Sequence, residues 1–161
     1  MGPKGLIEEF QRKLPGEIVE ASREGEDFVL LVRPQALLRI MRSLKEQPYS
    51  YRLLLDLTCV DFRRDAASFE MVYHLYSLDA GSRVRVKARL PADSPFIDSL
   101  AGLFRNANWL EREVYDMFGV VFTGHPDLKR ILMYDGFDGF PLRKDYPLRR
   151  RQPKANKREA I

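Results

Sequence analysis

The 161 residues contain one cysteine, Cys59, and two histidines, His74 and His125. A single cysteine excludes an internal disulfide. An iron–sulfur cluster takes about four cysteine ligands and a structural zinc about four Cys or His ligands. Three such residues scattered over positions 59, 74 and 125 provide neither. The glycines never recur as Gly-x-Gly, which excludes the dinucleotide fingerprint and the kinase glycine loop. A P-loop and a Gly-x-Ser-x-Gly elbow are also missing. No apolar run approaches the ~18 residues that a membrane span needs. Met1-Gly-Pro-Lys-Gly-Leu6 lacks the apolar stretch of a signal peptide and runs straight into Glu8 and Glu9. Leu6 stands where a myristoylation motif needs Ser or Thr. These absences predict a cytosolic chain that binds no cofactor, cluster or metal of its own.

Charge is present but unevenly placed. The net +4 is concentrated in residues 141–161, where Arg143, Lys144, Arg149, Arg150, Arg151, Lys154, Lys157 and Arg158 face only Asp145 and Glu159. The body is therefore mildly acidic, and only the tail is basic. A chain of this length buries roughly 68–70% of its unfolded surface, enough for one self-sufficient core. The expected organisation is an α+β domain over residues 1–119 and an extended arm over residues 120–161.

Periodicity gives the elements. Leu6, Ile7, Phe10 and Leu14 predict a helix over 5–14, ended by Pro15-Gly16. Strands are predicted at 17–21 and 27–32, joined by a turn containing Gly25. Pro34 opens a helix over 34–46 with Leu37, Ile40, Met41 and Leu44 on one face. Residues 52–62 are apolar on both faces, which predicts a central strand. Residues 68–78 and 83–90 alternate, and the three strands form an antiparallel meander. Helical patterns are predicted at 95–104 and 108–118, the second ending at Gly119. Beyond it, periodicity is lost, and the segment reads as an arm that leaves the domain and lies on a partner. The order predicts a two-layer sandwich: a mixed, mainly antiparallel sheet with helices on one face.

The densest run of chemistry is Trp109-Leu-Glu-Arg-Glu-Val-Tyr-Asp-Met-Phe-Gly119, followed by His125-Pro126. Trp109, Leu110, Val114, Met117 and Phe118 form the expected apolar stripe. Arg112 and Asp116, four apart, are expected to pair on the exposed face. Glu111, Glu113, Asp116 and His125 could hold a divalent metal for hydrolysis, but acids working together must converge on a cleft, and spacing does not make these converge. Asp56 interrupts an apolar run, where a buried carboxylate is costly unless bonded; it is a candidate functional acid, with a hydrogen bond to a neighbouring loop or to an arginine as the favoured reading, and Asp61 points to the opposite sheet face. Cys59 reads as a small core residue. In the tail, Phe140-Pro-Leu142 and Tyr146-Pro-Leu148 interleave with cations, as in an extended peptide that docks on a protein. Electrostatic nucleic-acid binding is the weaker alternative, because the acidic body carries no aromatic–basic platform.

Glu111-Arg-Glu113, Asp116-Met-Phe-Gly119, His125-Pro126, Leu128, Arg130-Ile-Leu132, Gly139, Pro141-Leu-Arg-Lys-Asp145 and Pro147-Leu148 together resemble the C-type (30-kDa) subunit family of proton-translocating NADH–quinone oxidoreductase, respiratory complex I. Leu57, Asp61 and Val72-Tyr-His-Leu-Tyr-Ser77 add to the resemblance, which covers most of the chain. It implies a non-catalytic subunit of the peripheral arm on the cytoplasmic face of the membrane. In such a subunit, FMN, iron–sulfur clusters and quinone belong to partner chains, and the neighbours are the D-type and B-type subunit homologues. The partner-contact candidates are Glu111, Arg112, Glu113, Asp116, His125, Arg143, Lys144, Asp145, Tyr146, Arg149, Arg150 and Arg151. Related membrane-bound hydrogenase-type complexes use homologous subunits, so the resemblance leaves that assembly open as an alternative.

Overall fold

The structure, a computed structural model, describes residue 12 and residues 15–25, 27–62, 67–149 and 151. The predicted helix at 5–14 lies outside the described residues apart from Arg12. β1 (Ile18–Glu24) and β2 (Asp27–Val32) pair as the expected hairpin, with Gly25 at φ +64° in its turn. β3 (Leu53–Asp61), β4 (Ser68–Ser77) and β5 (Ser82–Pro91) form the antiparallel meander. β2 runs parallel to β5, so the sheet is mixed, in the order β1-β2-β5-β4-β3.

Register brings alternate residues onto one inner face. Leu57 lies opposite Tyr73, Tyr73 opposite Val86 and Val86 opposite Leu30, and all four are buried. The helices cover this face. A 3-10 turn at Pro34–Ala36 leads into α1 (Leu37–Lys45), which buries Leu37, Ile40, Met41 and Leu44. α2 (Ala107–Phe118) adds Val114, Met117 and Phe118 to the same core. The result is the expected α+β two-layer sandwich.

On the outer face the cations of β5 are neutralised in place. Arg85 reaches Glu24 at 2.6 Å and Asp27 at 3.3 Å, and Arg89 reaches Glu70 at 3.1 Å. A sheet face whose charges pair with one another is a poor electrostatic platform for nucleic acid.

Four expectations are corrected. β3 is an edge strand, not a central one; only one of its faces is covered, and Leu55, Val60 and Phe62 remain exposed. Residues 95–104 are not a helix: Phe96–Asp98 forms β6, which pairs in parallel with β7 (Val121–Thr123). The alternation of exposed Phe96, buried Ile97 and half-buried Asp98 is too short for periodicity to detect, and β6 gains its strand conformation from a partner more than twenty residues away. β7 also means that the chain beyond Gly119 re-enters the fold before it departs. Finally, Asp56 is exposed, not buried, and its Oδ1 accepts from the Leu57 N–H at 2.9 Å. That bond satisfies an N–H at the sheet edge, and nothing remains of Asp56 as a buried acid.

Candidate functional site

The predicted helix 108–118 is present and ends at Gly119, which has φ +73°. Val114, Met117 and Phe118 of the predicted stripe enter the core and Leu110 packs against it, but the remaining positions differ from the predicted arrangement. Trp109 is 60% exposed, whereas Glu111 and Asp116 are fully buried. The buried acids each tie the helix to a different loop.

Glu111 holds the loop after β6. Its Oε2 accepts from the Ser99 hydroxyl and its Oε1 from the Leu100 N–H, both at 2.6 Å. His125 closes the same corner. The Asp127 N–H donates to His125 Nδ1 at 3.0 Å, so the proton of the neutral ring lies on Nε2, which donates to the Asn108 carbonyl at 3.1 Å. Nε2 also stands 4.0 Å from Glu111 Oε2. Burial raises the Glu111 pKa above the usual glutamate range, and the bonds from Ser99 and Leu100 and the nearby His125 offset part of that rise.

Asp116 holds the chain beyond β7. Its Oδ2 accepts from three successive backbone groups, the N–H of Ile131 at 3.0 Å and those of Leu132 and Met133 at 2.8 Å. Its Oδ1 accepts from Arg130 Nη1 at 2.6 Å. Burial works against the charge here too, but the bonds from Met133, Arg130, Leu132 and Ile131 outweigh it and lower the pKa below the usual aspartate range. Arg112 does not pair with Asp116. It donates to the carbonyls of Lys129 and Arg130, both at 3.1 Å, and stacks over Trp109 at 5.1 Å. Acceptor and donor on one helix flank thus grip opposite polar groups of the same strap, residues 129–133.

Gly119 receives the next part of the strap. A Cβ there would lie 2.5 Å from Arg143 Nη2 and 2.6 Å from the Phe140 ring. Glycine is required twice, by the positive φ and by this approach. Arg143 sits 4.4 Å over the Phe140 ring and 5.4 Å over Phe69, and its Nε donates to the Phe118 carbonyl. Leu142 N–H donates to the Met117 carbonyl at 3.1 Å. Asp61, at the end of β3, accepts the Lys144 N–H at 2.7 Å. Tyr146 stacks on Phe137 at 6.0 Å.

The predicted site residues therefore separate into two groups. Glu111, Arg112, Asp116, His125 and Arg143 are internal fasteners. Glu113, Lys144, Asp145, Arg149 and Arg151 are exposed, and Tyr146 is half-buried; Arg150 lies outside the described residues. Glu111 and Asp116 face different loops while Glu113 faces out, so the four candidate metal ligands do not converge. Among the described residues no group of three His, Cys, Asp or Glu side chains could hold a metal. Cys59 is buried, and its thiol is pushed up to about 12 by burial first and by Asp61 second, far from the pKa of a reactive thiolate. Sequence reasoning missed the fastening roles of Ser99, Phe140 and Asn108. Their partners are distant in sequence and leave no periodic signal.

A family model described as the respiratory-chain NADH dehydrogenase 30 Kd subunit matches residues 30–152. The chain is 49% identical over 129 residues to C-type subunit 2 of the NADH-quinone oxidoreductase of Rhizobium etli (strain CIAT 652), covering 80% of this chain and 68% of that one. It is 40% identical over 139 residues to the C-type subunit of the NADH-quinone oxidoreductase of Geotalea uraniireducens (strain Rf4), covering 86% and 84%. Among solved structures it is similar to the trypsin-resistant fragment (1-134) of Nqo5, with 30% identity, a TM-score of 0.67, and coverage of 78% of this chain and 98% of that one. It is also similar to a chain of the archaeal membrane-bound sulfane sulfur reductase, with 26% identity, a TM-score of 0.75, and coverage of 90% and 85%. The helix signature, the strap it fastens and these matches agree: the chain belongs to the 30-kDa subunit family of respiratory-chain NADH dehydrogenase.

Proposed function

We propose that this chain is a non-catalytic scaffold subunit in the peripheral arm of a proton-translocating NADH–quinone oxidoreductase. In that complex electrons pass from NADH through FMN and iron–sulfur clusters to quinone. The scaffold holds none of those groups, which reside in its partners. It sits on the cytoplasmic face of the membrane against the D-type and B-type subunit homologues. No helix among the described residues is long and apolar enough to cross a membrane.

One observation carries the reading. Glu111 and Asp116, the buried acids that resemble catalytic groups, are occupied inside the chain, whereas Arg149 and Arg151 beyond Tyr146 are presented outward. Leu148 is 99% exposed between Pro147 and Arg149. Arg149 and Arg151 are exposed and make no hydrogen bond or ion pair with any described residue. An apolar anchor followed by cations suits an acidic, grooved protein surface, where charge sets orientation and encounter rate.

The test is affinity purification of the tagged full-length chain from its native membrane. The expected result is co-elution with a flavin-bearing NADH-oxidising subunit and the D-type and B-type homologues. The likeness to the sulfane sulfur reductase chain supports a second reading, in which the same scaffold serves a related membrane complex. Co-elution of a different electron-input subunit would select it.

A further inference from the structure

A second recognition site lies away from the strap. Between the end of β5 and the small β6–β7 sheet is a cleft of about 330 Å³, at the low end of the ~300–1,000 Å³ of ligand pockets. Leu90 and Ile97 form its buried floor, and Pro34, Pro91 and Phe96 form its apolar walls. Phe96 is 56% exposed, and its cross-strand neighbour Val121 is 47% exposed. The pair extends the apolar surface beyond the mouth of the cleft.

The cleft contains one carboxylate, that of half-buried Asp98. It receives no hydrogen bond or ion pair from any described residue. On its other side Asp98 borders a groove with Arg39, which is paired with Glu17, and Arg42; neither guanidinium reaches salt-bridge distance of Asp98. This contrasts with Glu70, Glu24 and Asp27 on the outer sheet face, each paired with arginine or lysine. A carboxylate beside apolar walls, with no cation paired to it among the described residues, complements a ligand that is apolar and positively charged at adjacent positions.

We infer that this cleft is a docking socket for an apolar side chain with a neighbouring lysine or arginine, carried by an adjacent subunit of the complex. The inference rests on the scaffold reading above and adds to it a contact of opposite polarity. The tail presents cations to an acidic surface, whereas the socket presents a carboxylate to a basic segment. Two contacts of opposite sign fix orientation, because a reversed docking sets like charges together.

The test places the photo-crosslinking residue p-benzoylphenylalanine at position 96 of the full-length chain assembled in its native membrane. The expected product is a link to one neighbouring subunit, mapped to a peptide with lysine or arginine beside an apolar residue. Asp98→Lys should cut the yield at least tenfold, and Asp98→Asn by less, with the thermal midpoint of the purified chain unchanged for both. A link to a second copy of this chain, a mapped peptide without a cation, a yield indifferent to Asp98→Lys, or no link in a complex that still contains the chain would each overturn the socket. Failure of the chain to co-purify with the complex would instead overturn the scaffold reading on which it rests.

Discussion

Residues 120–146 and residues 147–151 are consecutive and both carry proline, leucine and cations, yet the fold treats them differently. The first stretch returns to the domain. Asp116 and Arg112 grip its backbone, Gly119 admits Phe140 and Arg143, and Asp61 takes the Lys144 N–H. The second stretch has Leu148 almost fully exposed and Arg149 and Arg151 without partners among the described residues. A charge near a motif therefore says little about function until its partner is known. Buried charges that find backbone partners specify how the chain is threaded, and those left outside are the ones proposed to meet another protein.

The contrast breaks most sharply at Asp116. Asp116→Ala leaves three part-buried N–H groups and Arg130 Nη1 without their buried carboxylate acceptor, and should cost about 3–5 kcal/mol in chemical denaturation. A cost under about 1 kcal/mol would mean that the strap is not fastened there. Gly119→Ala comes next. The left-handed backbone and the displacement of Phe140 and Arg143 should together cost about 2–3 kcal/mol. Limited trypsin digestion should then cleave within the strap in the variant before the wild type.

The two buried acids of α2 sharpen the comparison through pH. The pKa of Asp116 falls on folding, so its contribution is fully present above the ordinary aspartate value of 3.8 and is lost as pH falls through its lower folded value. The pKa of Glu111 rises on folding. Its neutral form favours the fold, and stability is lost as pH climbs from 4.5 through the raised folded value. Glu111→Gln should therefore gain on the wild type over that upper window, and Asp116→Asn should flatten the acid limb. Denaturation midpoints across about pH 3–7 separate the two. Glu113→Ala, on the solvent side of the same helix, should change stability by no more than about 0.5 kcal/mol.

Much of this was legible in the sequence. The strict alternation of Val84, Val86, Ala88 and Leu90 and the helical spacing of Leu37, Ile40, Met41 and Leu44 described their own burial, because each element buries one face. Gly119 announced the end of α2. β3 misled because an apolar run on both faces signals burial without saying what provides it, and in this chain one face has no cover from its own described residues. β6 and β7 were missed because three-residue strands owe their conformation to tertiary pairing. The strap was missed because its bonds run from side chains to backbone across long sequence separations, where no residue pattern records the backbone partner. Hydrophobicity alone points Trp109 inward, whereas Glu111 took an inner position through hydrogen bonds that composition does not reveal.

The central claim is that residues 120–146 are fastened to the domain, whereas Pro147, Leu148, Arg149 and Arg151 meet a partner. Two deletions in the full chain test it together: removal of residues 147–161, and removal of residues 141–161, which also takes Leu142, Arg143 and Lys144. Thermal unfolding and co-purification with the membrane complex are measured for each. The shorter deletion should leave the unfolding midpoint within about 2 °C of wild type and abolish co-purification, while the longer one lowers the midpoint as well. Normal assembly after removal of 147–161, or equal stability of the two truncated chains, would contradict the claim.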